Sequence, residues 1–261
     1  MKNTLFFILQ FFLLNSNAQN VTNFISTDFY GLSGLTIDQN YLYVVSSNGV
    51  VLKKEISSLD STNFETYNIG GSGYSSICKV GNYIYISKPY NGNYGIKRFD
   101  ITSENINIEN YLSLENVFGM TKKGTDLFVS SNDKIYRIDT NSTNPVLNIV
   151  ASNICGTAGF DNSTLGIKIY GDFLYVMDCN GIIKINLSSE SFQQNLITTY
   201  SGNSFAKSDN DNVFYLTNLN IFDNGFESIY RLDVTTQELT FVTSIAGFIG
   251  TYDIFELNNK L

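Results

Sequence analysis

One pattern recurs five times along the chain, and a recurring unit of about forty residues restricts the fold more tightly than composition does. The copies read Asn40-Tyr-Leu-Tyr-Val-Val-Ser-Ser-Asn-Gly-Val, Asn82-Tyr-Ile-Tyr-Ile-Ser, Thr125-Asp-Leu-Phe-Val-Ser-Ser-Asn-Asp-Lys-Ile, Asp172-Phe-Leu-Tyr-Val-Met-Asp-Cys-Asn-Gly-Ile and Asn212-Val-Phe-Tyr-Leu-Thr. With Tyr43, Tyr85, Phe128, Tyr175 and Tyr215 as markers, the spacings are 42, 43, 47 and 40 residues. A short apolar strand and a Gly, Asn or Asp turn precede each marker, and a second run follows it. Those second runs are residues 51–56, Ile96-Lys-Arg-Phe-Asp-Ile-Thr, Ile135-Tyr-Arg-Ile-Asp-Thr, Ile182-Ile-Lys-Ile-Asn-Leu-Ser and Ile229-Tyr-Arg-Leu-Asp-Val-Thr.

The continuous apolar run around each marker suits a strand buried on both faces, and the alternation in the second run suits a strand with one wet face. A closing strand, as at residues 63–69 and 238–244, makes four strands per unit, which is the period of a propeller blade. Only 2 prolines and no 3.6-residue periodicity beyond the N-terminal stretch leave little room for helices. The expected fold is therefore all-β: a β-propeller of about six four-stranded blades, five of them clear repeats of about 43 residues, with the ring closed by the two termini. A β-sandwich is the competing architecture, but its strands need not repeat in sequence. Residues 21–27 resemble an outer strand with no blade before it, and residues 251–257 an inner strand with no blade after it. Paired, they give a two-stranded sixth blade, which leaves the blade number between five and six.

Composition excludes several functions. The chain of 261 residues contains no histidine, so the usual general base, zinc ligand and pH switch are missing and a Ser-His-Asp or Cys-His mechanism cannot be built. Oxygen-only chemistry survives, either Ca²⁺ held by carboxylates and carbonyls or a carboxylate pair acting on a glycosidic bond. With 24 acidic against 16 basic residues the net charge is −8, which opposes nucleic-acid binding. The 17 Tyr and 20 Phe in a chain only 15% charged oppose disorder and permit a large core.

Residues 1–18 carry one cation at Lys2, an apolar stretch over residues 5–14 broken only by Gln10, and the small-residue run Ser16, Asn17, Ala18. This is the form of a signal peptide cleaved after Ala18, and the apolar stretch is about half of the ~20 residues a membrane-spanning helix needs. The expectation is a single propeller domain over residues 19–261, exported to the periplasm or the medium, with no membrane span.

The blade pattern, a small residue and an aliphatic strand followed by Leu-Tyr-Val-Ser and an Ile-x-Arg-Ile-Asp-x-Thr strand, resembles the NHL, YVTN and SMP-30/gluconolactonase-like propellers over residues 35–244. Abundant Asn, Ile, Lys and Tyr, with the Asn-Ala-Gln junction, resemble exported proteins of AT-rich bacteria. The resemblance implies a fold that hosts enzymes, sensors and scaffolds alike. It also implies that a lactonase of SMP-30 type would hold a divalent ion at the channel mouth through Glu, Asn and Asp. The family's Glu-Gly-Pro signature falls where this chain has Gly31-Leu-Ser-Gly34, which supplies no carboxylate.

Propeller ligands sit over the channel, on the face built from the loops between blades and between second and third strands. Two of those loops are long: Lys88-Pro-Tyr-Asn-Gly-Asn-Tyr-Gly and Leu219-Asn-Ile-Phe-Asp-Asn-Gly-Phe-Glu. Their Tyr90, Tyr94, Phe222 and Phe226, beside Asn and Asp, either stack on a sugar or an extended peptide or fold back over their own blades. Asn116, Asp161, Asp178 and Asp253 fall near channel-side turns, where they either bind Ca²⁺ or hydrogen-bond their own backbone. Asp100, Asp139 and Asp233 end equivalent strands and read as turn residues, and the marker aromatics as core. Cys155, before blade four, and Cys179, in that blade's second-to-third-strand turn, should share one face and pair as a disulfide, whereas Cys78 reads as a buried hydrophobe. The expected function is a binding module for an extracellular or periplasmic glycan or protein, with no identifiable catalytic residue and no required cofactor. A Ca²⁺-dependent SMP-30-like hydrolase and a structural scaffold are the alternatives.

Overall fold

The computed structural model of the chain describes residues 32–58, 64–89, 95–155, 166–189, 191–208, 212–217 and 227–245. They form five four-stranded antiparallel sheets, each a meander of consecutive strands. Blade one comprises β1 (Leu32–Asp38), β2 (Tyr41–Ser46), β3 (Val50–Glu55) and β4 (Glu65–Asn68). Blade two comprises β5 (Ile77–Val80), β6 (Tyr83–Lys88), β7 (Gly95–Asp100) and β8 (Glu109–Leu112). Blade three comprises β9 (Val117–Lys123), β10 (Asp126–Ser131), β11 (Lys134–Asp139) and β12 (Asn148–Ser152). Blade four comprises β13 (Ile167–Tyr170), β14 (Phe173–Asp178), β15 (Gly181–Asn186) and β16 (Gln194–Thr198). Blade five comprises β17 (Ser204–Lys207), β18 (Val213–Thr217), β19 (Glu227–Asp233) and β20 (Glu238–Ile245). The inner strands follow one another around the axis, β1 beside β5, β5 beside β9, β9 beside β13 and β13 beside β17. The protein is thus an all-β propeller with five blades among the described residues, one fewer than the six expected. The residues assigned to a sixth blade, 21–27 and 251–257, lie outside the described ones, as does the N-terminal stretch 1–18.

Burial explains the repeat. In the second strands β6, β10 and β14 every residue after the first is buried, because both faces of the strand meet a neighbouring blade. The marker side of each blade packs on the next blade, and the opposite side on the one before. Tyr43, Val45 and Val51 pack against Ile84, Ile86 and Phe99. Tyr85 and Ile96 likewise meet Leu127, Val129 and Ile138. Phe128 and Ile135 meet Leu174, Val176 and Ile185, and Tyr175, Met177 and Ile182 meet Phe214, Leu216 and Leu232. Four markers are buried; Tyr215 is only half-buried, in a small cluster with Ala206, Ile229 and Val242, so it departs from the expected core role.

Near the axis the backbones crowd, which accounts for the small residue opening each repeat. A Cβ on Gly34 would lie 2.7 Å from the Ser75 carbonyl oxygen and 2.9 Å from the Ser76 Cα of the next blade. At the other end of the blades, Asp100, Asp139, Asn186 and Asp233 each accept a hydrogen bond from the backbone N–H two residues on, at 2.8–3.0 Å. These turns fix the third-to-fourth-strand connections.

Candidate functional site

The face with the second-to-third-strand turns is held by hydroxyls the repeat supplies. Two residues past the marker, Ser87, Ser130 and Thr217 accept hydrogen bonds from the backbone N–H groups of Ser76, Gly119 and Ser204 at 3.0, 2.9 and 3.1 Å. Each ties the end of a second strand to the entry of its own inner strand. Two further hydroxyls link blades: Ser33 donates to the Tyr74 carbonyl at 2.8 Å, and Ser75 to the Val117 carbonyl at 3.2 Å. These hydroxyls therefore find partners within and between the blades.

On blade four the same face is stapled covalently. A disulfide joins Cys155 to Cys179 across a sequence separation of 24, and the Cys179 N–H donates to the Cys155 carbonyl at 2.9 Å. Between them Asp178, only 3% exposed, accepts from the Cys155 N–H at 2.7 Å and from the backbone and side-chain amides of Asn180 at 2.8 and 3.0 Å. Asn116 has a left-handed backbone, φ 54°, and its side-chain amide donates to the Asn132 Oδ1 at 2.9 Å. Asp178 and Asn116 are thus engaged by different partners in separate blades. Among the described residues no three His, Cys, Asp or Glu side chains come together. Asp161 and Asp253 lie outside the described residues, as do all four loop aromatics, Tyr90, Tyr94, Phe222 and Phe226. Cys78 is buried and reduced, and burial pushes its thiol up to about 12.

Two features were not anticipated from the sequence, and a third was present in the Ile-x-Arg-Ile-Asp pattern without its cross-strand partner being apparent. The Asp38 carboxylate receives the Lys79 ammonium at 2.8 Å and also that of Lys122. Blades one and three are not adjacent, so the Asp38–Lys122 bridge spans the intervening inner strand β5, toward the end of the blades away from the disulfide. Burial works to raise the Asp38 carboxyl, but the hydrogen bonds and charges of Lys122 and Lys79 outweigh it and hold the group below the usual carboxylate range. Second, Lys54 is buried at the blade-one position where the other blades carry Phe99, Ile138, Ile185 and Leu232, its ammonium 4.7 Å from the centre of the Phe64 ring. Third, the third-strand residue opposite each marker is a cation in all five blades: Lys53, Arg98, Arg137, Lys184 and Arg231. Superimposing the five repeats exposes that ladder, and nothing in a single repeat does.

Hydrogen bonds and neighbouring cations hold the carboxyls of Asp38, Glu65, Asp100, Asp133 and Asp172 below their ordinary range. Among the described residues no helix is long and apolar enough to cross a membrane.

Solved structures with this architecture include a chain of the mitotic checkpoint complex (TM-score 0.54, 15% identity, covering 92% of this chain and 75% of that one). A structure assigned to TolB from Agrobacterium tumefaciens has a TM-score of 0.54 at 14% identity, covering 79% of this chain and 77% of that one. The Myceliophteria thermophila Cps50 (Swd1) β-propeller domain has a TM-score of 0.53 at 12% identity, covering 83% and 73%. No protein-family model matches the chain, and no curated protein matches it. At these identities the likeness is one of fold, and the fold is that of a β-propeller.

Proposed function

We propose that the chain is an exported interaction module that binds a glycan or a peptide on the face carrying the second-to-third-strand turns. One observation carries the reading: the Cys155–Cys179 disulfide lies on that face, fastening the loop before blade four to the turn after β14. Disulfides persist in oxidising compartments, which agrees with removal of residues 1–18 after Ala18 and release into the periplasm or medium. A stapled, hydroxyl-latched rim also lowers the ordering cost of binding. In this reading the blade pattern is of NHL, YVTN or SMP-30 type, and the chain uses it for recognition. Tyr90, Tyr94, Phe222 and Phe226 provide stacking surfaces in the two long loops. The test is a glycan and peptide array probed with the mature chain and with a Tyr90→Ala/Phe222→Ala variant. Binding lost in the variant, with an unchanged circular-dichroism spectrum, supports the reading; equal binding by both overturns it.

A further inference from the structure

The five blades share one design, so a systematic difference among them at exposed positions is informative. The outer edge supplies one. In blades one and two the third-strand cation is neutralised by its cross-strand partner on the outer strand: Lys53 pairs with Glu65 at 2.7 Å, and Arg98 with Glu109. Arg98 is further held between the rings of Tyr83 and Tyr111, 4.7 Å from each. The next residue on each of these outer strands, on the other face of the blade, is polar and exposed, Thr66 and Asn110.

Blades three, four and five reverse both features. Arg137, Lys184 and Arg231 stand opposite the uncharged Asn148, Asn195 and Thr240. The following residues are Ile149, Leu196 and Phe241, which are 54, 52 and 55% exposed. Their register is the same in all three blades, opposite Tyr136, Ile183 and Tyr230 and just past a bulge. Arg137 keeps one counter-ion, Asp126 on the second strand, at 2.6 Å, and Lys184 rests on the Phe173 ring at 3.9 Å.

Among the described residues each of these outer strands is outermost in its sheet. An outermost strand that carries no charge along its exposed run lacks the usual protection against pairing with another chain. β4 and β8 are four residues long and bear Glu65 and Glu109, whereas β12 and β16 carry no charge and β20 is charged only at its first residue, Glu238.

We propose that the outer edges of blades three to five bind an extended segment of a partner protein in which acidic and apolar residues alternate. Added as a fifth strand, such a segment directs successive side chains to opposite faces of the blade. On one face its acidic residues lie beside Asn148, Asn195 or Thr240, two strand spacings (~9.6 Å) from the backbone of Arg137, Lys184 or Arg231 and within reach of those long cationic side chains. On the other face its apolar residues cover Ile149, Leu196 or Phe241, the last already stacked edge-on with Tyr230 at 5.7 Å. Blade four illustrates the limits. The Gln237 side chain donates to the Ile197 carbonyl at 3.3 Å, so an added strand pairs with the Gln194 to Leu196 half of β16. The choice of an acidic occupant follows from the protein's own complement, since two of the five blades already carry the carboxylate that the other three lack. This surface is separate from the loop face.

The test uses fluorescence anisotropy of a labelled peptide of about ten residues in which Asp alternates with Leu, titrated with the full chain. Controls replace Asp by Lys or Leu by Ser. The capping variant Asn148→Glu/Asn195→Glu/Thr240→Glu gives blades three to five the cross-strand pair of blades one and two. The apolar variant is Ile149→Thr/Leu196→Thr/Phe241→Thr. The expected result is binding of the Asp-Leu peptide only, weakened at least about tenfold in each variant and by added salt, while the Tyr90→Ala/Phe222→Ala variant binds it as the parent does. No binding of the Asp-Leu peptide overturns the proposal, as does equal binding by the capped protein or the Lys peptide. Native mass spectrometry separates the remaining occupant: a dimer that the capping variant dissolves would assign these edges to a second copy of this chain and overturn the partner proposed.

Discussion

Replacing Asp38 by Asn tests the ion-pair network most directly. The substitution keeps size and shape but removes the one carboxylate shared by Lys79 and Lys122, leaving two ammonium groups facing each other. The side chains of Asp38 and Lys79 are 14% exposed and that of Lys122 29%, so the site is neither a surface pair nor a dry one. Exposed pairs contribute ~0–1 kcal/mol and removal of one partner from a buried pair costs ~3–5 kcal/mol, so a loss of about 2–3 kcal/mol is expected here after allowing for solvent screening. For a domain of this size that lowers the Tm by about 4–12 °C. The chain has no tryptophan, so unfolding is followed by far-UV circular dichroism in urea and on heating. The pH dependence gives the sign. Because the folded-state carboxyl lies below its unfolded value of 3.8, its contribution is fully present above that value and is lost as pH falls through the folded value. The gap between parent and variant should therefore be constant from neutral pH down to about pH 5, and shrink as pH falls below 3.8 and through the folded value. Adding Lys79→Met to the variant should recover part of the loss. A gap under about 0.5 kcal/mol at neutral pH, or one that does not shrink as pH falls below 3.8, would refute the network as a source of stability.

Gly181→Ala should destabilise the protein by about 3 kcal/mol in urea titrations, because φ is +138° and the new Cβ would lie 1.8 Å from the Thr198 carbonyl oxygen. Gly171→Ala, with φ +60° and nothing within 4 Å, should cost only about 1 kcal/mol, and equal costs would refute the steric account. Reducing the Cys155–Cys179 bond, or the Cys155→Ser/Cys179→Ser variant, should lower stability by about 3 kcal/mol on the chain-entropy estimate, read from the urea midpoint under matched conditions. Cys78 should stay unreacted with a thiol reagent in the native protein and label fully in urea, since it is buried and its thiol is pushed up to about 12; fast native labelling would contradict that burial.

The hairpins were readable because each depends on residues close in sequence. Marker strands, turn Asp residues and the alternating third strands all obey local rules, and all appear where the repeat puts them. Contacts between blades were not readable, since they depend on how the ring closes. Asp38 and Lys122 are 84 residues apart, and only the positions of three inner strands bring them together. Tyr215 shows the same limit from the other side. Its sequence context matches that of Tyr43, yet it is half-buried, because burial of a marker is set by the neighbouring blade and not by its own hairpin. Lys54 looked like an ordinary residue of an alternating strand, and only its cross-strand register with Leu42 puts it in a core position. The loop aromatics and two of the four candidate metal ligands fall outside the described residues, so the loop face is defined here by its disulfide, its hydroxyl latches and Asp178.

The Asp38–Lys122 bridge also bears on the order of assembly. Each blade is a meander whose pairings join near neighbours in the chain, so a blade can form as soon as its own four strands exist. The bridge is different: it cannot form until blade three has docked in register on blades one and two. Interactions absent from the folding transition state act on the unfolding rate and not on the folding rate. Loss of the bridge should then steepen the decay of the native state while refolding proceeds at its former speed. The residue at the end of the first described strand thus acts as a clasp on the lifetime of the ring, fastened only after the third blade has arrived.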